Sequence, residues 1–184
     1  SVRPGDEFVW SVVYNRVDGR PLEKIDLIDT LPAGFEYVGM VCQRTYGSGG
    51  SPGSATSSAP CPVAADAVPT VTTDPITGAQ TLFWNDLTVP PSGDAGYYTS
   101  LNFTVRAKAG TSVANYTNKV LASSAVDGYN TVCPRGSWTW GQEADTKDLD
   151  QDGNTTEILC TATDPVQVRE AAIGDIYKWV KGNL

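Results

Sequence analysis

The most regular feature of this chain is an alternation of apolar and polar side chains. In the segment FVWSVVY, large apolar residues occupy positions 8, 10, 12 and 14. A period of two places them on one face of a β-strand. Comparable patterns predict further strands near residues 25–29, 35–41, 70–73, 81–84, 97–108, 114–122 and 157–163. Since no segment has sustained helical periodicity, we expect an all-β protein built as an antiparallel β-sandwich.

Turn residues and irregular segments separate these strands. Pro4-Gly5-Asp6 precedes the first strand, and residues 74–78, DPITG, predict the turn of a hairpin. Residues 47–60, GSGGSPGSATSSAP, predict a surface loop, because Gly and Ser bury little area to offset their ordering entropy. Residues 126–164 lack the regular pattern and are interpreted as an irregular insertion that ends in a return strand.

Charge and composition exclude several classes of function. The net charge is −8, which disfavours contact with nucleic acid and anionic membranes. No apolar run approaches the roughly 20 residues that span a bilayer, so no membrane insertion is expected of this chain. There is no histidine, which removes the commonest general base and the Ser-His and Cys-His nucleophile pairs. We therefore predict that the protein is not an enzyme.

Four cysteines, at positions 42, 61, 133 and 160, form no CxxC pair, which argues against zinc ribbons and thioredoxin-like sites. An even number favours two disulfides and an oxidising, extracellular compartment. Four cysteines can form two disulfides in three different ways. We favour Cys42–Cys61 and Cys133–Cys160 because each closes a local loop, and the second would pin the insertion. The alternative is four buried free thiols.

The insertion contains a run of alternating carboxylates followed by Gly153. A glycine at the sixth position of such a run allows the sharp turn that directs oxygen ligands at Ca²⁺. The twelfth position of a full EF-hand loop is a carboxylate, whereas here it is Leu159, so Glu157 or Asp145 would have to substitute. The sequence therefore predicts a partial calcium loop, with a solvated acidic turn as the alternative. The candidate ligands are Asp148, Asp150, Asp152 and Glu157.

Two further features suggest surface chemistry. Asn154 begins an N-x-T sequon in a predicted loop and is the candidate glycosylation site, whereas the sequons at Asn102 and Asn115 lie in predicted strands. Trp138 and Trp140 share one strand face in the insertion. We expect them to pack beneath it, and an exposed glycan-binding patch is the alternative.

Four segments occur in an order that suggests a family: PGDEFVWSVVYN, LEKIDLIDTLPAGFEYV, LFWNDLTVPPSGDAGYYTSLNFTVRAKAG and ANYTNKVLAS. Together they resemble the conserved repeat of bacterial and archaeal surface proteins called domain of unknown function eleven, a relative of the isopeptide-forming fimbrial domains. The resemblance covers residues 2–125 and not the insertion. It implies a seven-stranded immunoglobulin-like sandwich, used without catalysis in tandem arrays on cell surfaces and in filaments.

The chain is out of phase with that repeat. The family's first strand, which usually carries a lysine, does not precede Pro4, yet a similar segment, DIYKWVKGNL, lies at residues 175–184. We expect residues 1–165 to form the sandwich and residues 166–184 to form a linker and a strand for the next repeat or a neighbouring copy. A fold-back tail or a linker helix is the alternative. The expected subunit contacts are Ile176, Tyr177, Trp179 and Val180.

The resemblance also implies a candidate isopeptide crosslink. By matching residues, Lys178 or Lys181 would join Asn118, assisted by Asp29 or Asp26. The reaction needs a neutral amine and a protonated acid, and burial shifts both pKa values in those directions. In many such domains the equivalent acid forms no crosslink and instead holds a loop by hydrogen bonds.

These expectations combine into one functional hypothesis. The chain would be a structural module of an extracellular microbial surface protein or filament, whose partners are neighbouring copies of itself. A head-to-tail contact of this kind does not close on itself and so builds a one-dimensional array. The alternative is an adhesive module that binds glycan or protein on a host or environmental surface through residues 126–164. Calcium is the one cofactor expected.

Overall fold

The computed structural model describes residues 1–15, 24–46, 68–88, 98–124 and 140–169. These residues contain nine strands. No helix among them is long and apolar enough to cross a membrane. The strands are β1 (Glu7–Asn15), β2 (Lys24–Leu31), β3 (Phe35–Tyr46), β4 (Thr70–Thr73), β5 (Gln80–Thr88), β6 (Tyr98–Ala107), β7 (Asn115–Ser124), β8 (Trp140–Ala144) and β9 (Ile158–Gln167).

The strands form two sheets that pack face to face. One sheet has three strands in the order β1-β6-β3, and the other has six in the order β4-β5-β2-β7-β9-β8. All the strand pairings within both sheets are antiparallel. The prediction of an all-β, immunoglobulin-like antiparallel β-sandwich is therefore confirmed.

The core lies between the sheets and follows the period-two pattern of the sequence. In β1, Trp10 is buried and pairs with Phe103 of β6, while Val9 on the opposite face is exposed. The ring of Phe103 lies 5.4 Å from that of Trp84 in β5, which joins the two sheets through aromatic contact. Trp84 has no exposed surface, so these rings form the centre of the core.

Strand β2 differs from this pattern because both of its faces are covered. Leu27 and Leu31 belong to the core between the sheets. Ile28 belongs to a second apolar cluster on the outer face of the six-stranded sheet, together with Leu121 and Leu159. The sequence of β2, KIDLIDTL, therefore does not follow a simple period of two, and it also places Asp26 and Asp29 in buried positions.

The predicted insertion is more regular than the sequence suggested. Its described part adds strand β8 and most of strand β9 to the six-stranded sheet, with the loop of residues 145–157 between them. Strand β9 also continues through the boundary expected between residues 165 and 166. The reason is that Val166 and Val168 are buried in the core.

The N-terminal segment crosses from one sheet to the other. Val2 forms a parallel bridge with Val168, in which the Val2 amide donates to Gln167 O at 2.9 Å and the Arg169 amide donates to Val2 O at 2.9 Å. Strand β1 then begins at Glu7 in the three-stranded sheet. This crossing places β1 on the side of the sandwich where β9 lies.

Replacing Gly34 with alanine is expected to lower the free energy of unfolding by about 1–3 kcal/mol. Gly34 has a φ of +100°, and an added Cβ would lie 3.0 Å from Cγ2 of Thr111. Thr111 cannot move freely, because its hydroxyl lies 2.8 Å from the carbonyl oxygens of Gly34 and Lys108. Denaturant unfolding of the variant measures the loss.

The matched control is Gly39→Ala, in strand β3. Gly39 has no positive φ, and nothing lies within 4 Å of an added Cβ. This variant is expected to be unchanged or more stable by about 0.5 kcal/mol, because alanine loses less conformational entropy on folding. If both variants lost the same free energy of unfolding, the conclusion that a side chain at position 34 is strained would be wrong.

Candidate functional site

The loop between β8 and β9, residues 145–157, lies on the outer face of the six-stranded sheet. Leu149 packs against the outer apolar cluster of Ile28, Leu121 and Leu159, which anchors the loop there. The backbone turns sharply on the way back to β9. Its positive φ values are 53° at Asp148, 64° at Gln151 and 88° at Gly153.

Asp145 organises the start of this loop through backbone amides. Its side chain is fully buried. The amide of Leu149 donates to both carboxylate oxygens, at 2.9 and 2.8 Å, and the amide of Lys147 donates to Oδ1 at 3.2 Å. These amides compensate the charge of Asp145, so its main role is to shape the loop.

Asp148 and Asp152 also accept hydrogen bonds from the loop backbone. The Gly153 amide donates to Oδ1 of Asp148 at 2.9 Å, and the Asn154 amide donates to Oδ1 of Asp152 at 2.6 Å. Both carboxylates lie on the solvent side of the loop, Asp148 half-buried and Asp152 exposed. Each keeps one oxygen that these amides do not use.

Asp150 points the other way, into the sheet. It is 2% exposed, and its Oδ2 accepts a hydrogen bond from the Ser123 hydroxyl of β7 at 2.6 Å. Its Oδ1 is buried and has no hydrogen-bond partner, and the same is true of Oε1 of Glu157. Two carboxylate oxygens of this loop are therefore buried without a hydrogen-bond donor.

The acidic side chains converge in two overlapping groups that share Asp150. Carboxylate oxygens of Asp145, Asp148 and Asp150 lie within 4.8 Å of one another, and so do those of Asp150, Asp152 and Glu157. Of the four calcium ligands predicted from the sequence, Asp150, Asp152 and Glu157 form one group, whereas Asp148 belongs to the other group with Asp145 and Asp150.

The structure also explains why position twelve of the motif is not acidic. Leu159 is the second residue of β9 and is fully buried in the outer apolar cluster. A carboxylate there would lose its hydration without gaining a partner. Glu157 is the last residue before β9 and takes the acidic position instead.

The proximity of these carboxylates has an electrostatic cost. Burial raises the pKa of Glu157 to about 7, and the neighbouring carboxylates of Asp150, Asp152 and Asp145 act in the same direction. Burial likewise raises the pKa of Asp26 to about 6, with Asp150, Asp86 and Asp152 adding to the shift and the Asp86 amide opposing it. Burial and mutual repulsion therefore disfavour the ionised forms of Glu157 and Asp26.

Ser123 and Asp26 are parts of this site that sequence reasoning did not assign to it. They are opposite each other in the β2–β7 register, and the Asp86 amide donates to Asp26 Oδ1 at 2.6 Å. Their place beside the loop depends on pairing between distant strands. No local pattern in the sequence carries that information.

A separate polar pair lies inside the core between the sheets. Asn118 of β7 donates from Nδ2 to Oδ2 of Asp29 in β2 at 2.9 Å, and both side chains are buried. Oδ1 of Asp29 and Oδ1 of Asn118 have no partner. Burial raises the pKa of Asp29 to about 7, while the hydrogen bond from Asn118 opposes the shift.

This pair bears on the predicted crosslink. Asp29 contacts Asn118, whereas the other candidate acid, Asp26, lies beside the acidic loop on the opposite face of β2. The structure therefore brings together two of the three predicted residues. Lys178 and Lys181 lie outside the described residues.

The other sites predicted from the sequence are the disulfides, the glycosylation sequon and the subunit contacts. Cys160 is disulfide-bonded, but Cys61 and Cys133 lie outside the described residues, so the pairings Cys42–Cys61 and Cys133–Cys160 stay predictions. Asn154 is exposed, and the Thr156 hydroxyl of its sequon donates to its Oδ1 at 2.8 Å. The expected subunit contacts lie outside the described residues: Ile176, Tyr177, Trp179 and Val180.

Comparison with known proteins adds no family to this description. No protein-family model matches the chain, and neither a curated protein nor a solved structure matches it.

Proposed function

We propose that this chain is a structural module of an extracellular surface or filament protein, and that it joins neighbouring copies head to tail by strand donation. The observation that carries the proposal is the unequal width of the two sheets. Three strands face six in the described part of the chain. Within these described strands, the face of the larger sheet therefore extends beyond the smaller one.

The uncovered area lies along β9 and β8. Alternation along β9 puts Val166, Asp164 and Ala162 on the face that looks toward the smaller sheet. Val166 is buried, whereas Ala162 is half-buried and Asp164 is exposed. The smaller sheet therefore covers one end of β9 and leaves the other end open.

The edge of β1 borders this open area. Among the described strands, β1 pairs with β6 alone, so its other edge is unpaired there. An edge of this kind is a template for one more strand. A strand added beside β1 would complete the smaller sheet above β9.

The donor that we propose is residues 173–184 of a neighbouring copy. Its alternation puts Tyr177 and Trp179 on one face and Ile176, Lys178 and Val180 on the other. The face of Ile176, Lys178 and Val180 would cover the open sheet. On that face, the positive charge of Lys178 complements the exposed Asp164 and the net charge of −8 of the chain. Donation from copy to copy repeats without closing and yields a filament.

The buried Asp29–Asn118 pair offers a way to make the joint covalent. A neutral Lys178 amine that reached this pair would attack the Asn118 side-chain carbonyl, form a new amide and release ammonia. Protonated Asp29 would move the proton to the leaving nitrogen, and its raised pKa favours that form near neutral pH. The joint would then resist boiling.

The test compares the full chain with a version that ends at Arg169. We expect the full chain to form oligomers or filaments by size-exclusion chromatography and negative-stain microscopy, while the shortened chain stays monomeric. A synthetic peptide of residues 173–184 should bind the shortened chain and block growth of the full one. The matched control peptide replaces Ile176 and Val180 with aspartate and should do neither.

Boiling in denaturant with reductant separates the two kinds of joint. A return to monomer means strand exchange alone, whereas a ladder that has lost one ammonia per joint means a Lys–Asn crosslink. A full chain that stays monomeric and a peptide that does not bind would overturn the proposal. Glycan binding by that monomer would instead favour an adhesive module.

A further inference from the structure

We propose that Asp150, Asp152 and Glu157 bind a Ca²⁺ ion that fastens the β8–β9 loop to the outer face of the six-stranded sheet. This inference goes beyond the structural role proposed above and does not rest on it. It concerns the outer face, whereas strand donation concerns the core side of the sandwich. Either proposal can fail while the other holds.

The hydrogen bonds select this group of carboxylates over the one that contains Asp145. Asp145 accepts backbone amides on both oxygens, so its charge is already compensated. Asp150 Oδ1 and Glu157 Oε1 are buried and have no donor. A buried carboxylate oxygen without a donor is costly, and a cation is the partner that satisfies several such oxygens at once.

The position of Asp150 makes it the centre of the site. It is 2% exposed, and it belongs to both groups of converging oxygens. The Ser123 hydroxyl donates to Oδ2 at 2.6 Å, which orients the carboxylate and leaves Oδ1 for the ion. Such an outer-shell hydrogen bond is typical of carboxylates that ligate metals.

The donor set identifies the class of cation. All the candidate ligands are carboxylate oxygens, which suit hard cations such as Ca²⁺ and Mg²⁺. Softer metals such as Zn²⁺ prefer histidine or thiolate, and the chain has no histidine, while Cys160 is in a disulfide. Since the ligands lie in a loop rather than in a rigid octahedral frame, we infer Ca²⁺.

The ion would connect three parts of the fold. Asp150 is tied to β7 through Ser123, Glu157 directly precedes β9, and Asp152 lies in the exposed turn of the loop. One cation held by all three would keep Leu149 on the outer apolar cluster. Removing it should loosen the loop while leaving the core between the sheets intact.

The experiment uses the full chain after removal of metal with EGTA. Adding about 10 mM CaCl₂ is expected to raise the melting temperature by about 5–10 °C, given the roughly 10⁻⁴ M affinity of extracellular calcium loops. Calorimetry should show binding of one Ca²⁺, and the same concentration of MgCl₂ should give a clearly smaller shift. Hydrogen exchange should show new protection of the Leu149 and Gly153 amides.

The variants Asp152→Asn and Glu157→Gln remove ligands and also reduce repulsion within the cluster. We expect both to be as stable as the wild type in EGTA but to lose most of the response to Ca²⁺. The control is Asp74→Asn, which removes an exposed carboxylate charge in the β4–β5 turn, away from the loop, and should respond like the wild type.

Several results would overturn the proposal. The first is that calorimetry detects no heat of Ca²⁺ binding to the wild-type chain. The second is that Ca²⁺ leaves the melting temperature of the wild type unchanged. The third is that Ca²⁺ raises the melting temperature of both ligand variants as much as that of the wild type. If the variants do not fold, the wild-type calorimetry and hydrogen exchange still decide, because both are measured on the unaltered chain.

Discussion

The free energy of unfolding is expected to fall by about 3 kcal/mol between pH 4 and pH 7 because of Asp29 alone. In the unfolded chain this carboxyl ionises with its ordinary pKa of 3.8, whereas burial in the folded core raises its pKa to about 7. Between these values the unfolded state has released the proton and the folded state still holds it. The contribution of Asp29 to stability is therefore fully present below its pKa in the unfolded chain, and it is lost as pH rises through its pKa in the folded protein.

The matched variant is Asp29→Asn, which is isosteric with the protonated acid and whose side-chain oxygen can still accept the hydrogen bond from Asn118. Chemical unfolding at several pH values should give a much smaller pH dependence in this variant. Burial also raises the pKa values of Asp26 and Glu157, and both act in the same direction. Since both remain in the variant, the measured quantity is the difference between the two curves, and identical curves would contradict the prediction.

Replacing Trp84 with alanine is expected to lower the free energy of unfolding by about 3–5 kcal/mol. Trp84 has no exposed surface, and its ring lies 5.4 Å from Phe103 in the opposite sheet. The substitution removes a large buried side chain and leaves a cavity that neighbouring strands cannot fill without distortion. Denaturant unfolding measures the loss, and the melting temperature should fall by about 10 °C.

The control for this prediction is Ile76→Ala. Ile76 is as apolar as a core residue but is 92% exposed in the β4–β5 turn. Its replacement should change stability by less than about 0.5 kcal/mol. A loss at Ile76 equal to that at Trp84 would show that the centre of the sandwich lies elsewhere.

Period-two patterns in the sequence were sufficient to predict the strands that have one buried face. Trp10 in β1 and Phe103 in β6 lie in the core as predicted. The β4–β5 hairpin also forms around Asp74, whose Oδ1 accepts the amides of Ile76 and Thr77. In each case the information is local, since it depends on alternation or on one turn residue.

The second layer of the fold could not be predicted in that way. Ile28, Leu121 and Leu159 come from three strands and meet on the outer face of the sheet because the loop of residues 145–157 covers it. A pattern with one apolar face gives no reason to expect a cover on the other. The described part of the insertion therefore looked irregular, although it supplies two strands.

The acidic site also combines features that local spacing predicts with features that depend on distant strands. Its spacing alone predicted that Asp148, Asp150, Asp152 and Glu157 converge. The structure brings Asp150, Asp152 and Glu157 into one group and Asp148 into a second group with Asp145 and Asp150. The spacing could not reveal which of them backbone amides already compensate. Nor could it reveal that Ser123 orients Asp150, because that contact depends on the pairing of β7 with β9.

The bridge between Val2 and Val168 has a mechanical consequence. The two segments run parallel, and two backbone hydrogen bonds hold them, from Val2 N to Gln167 O and from Arg169 N to Val2 O. Tension that pulls Val2 toward the N-terminus and Arg169 toward the C-terminus would slide the segments past each other. Both hydrogen bonds would then carry the load together in shear, instead of opening one after the other as in a peeled strand pair.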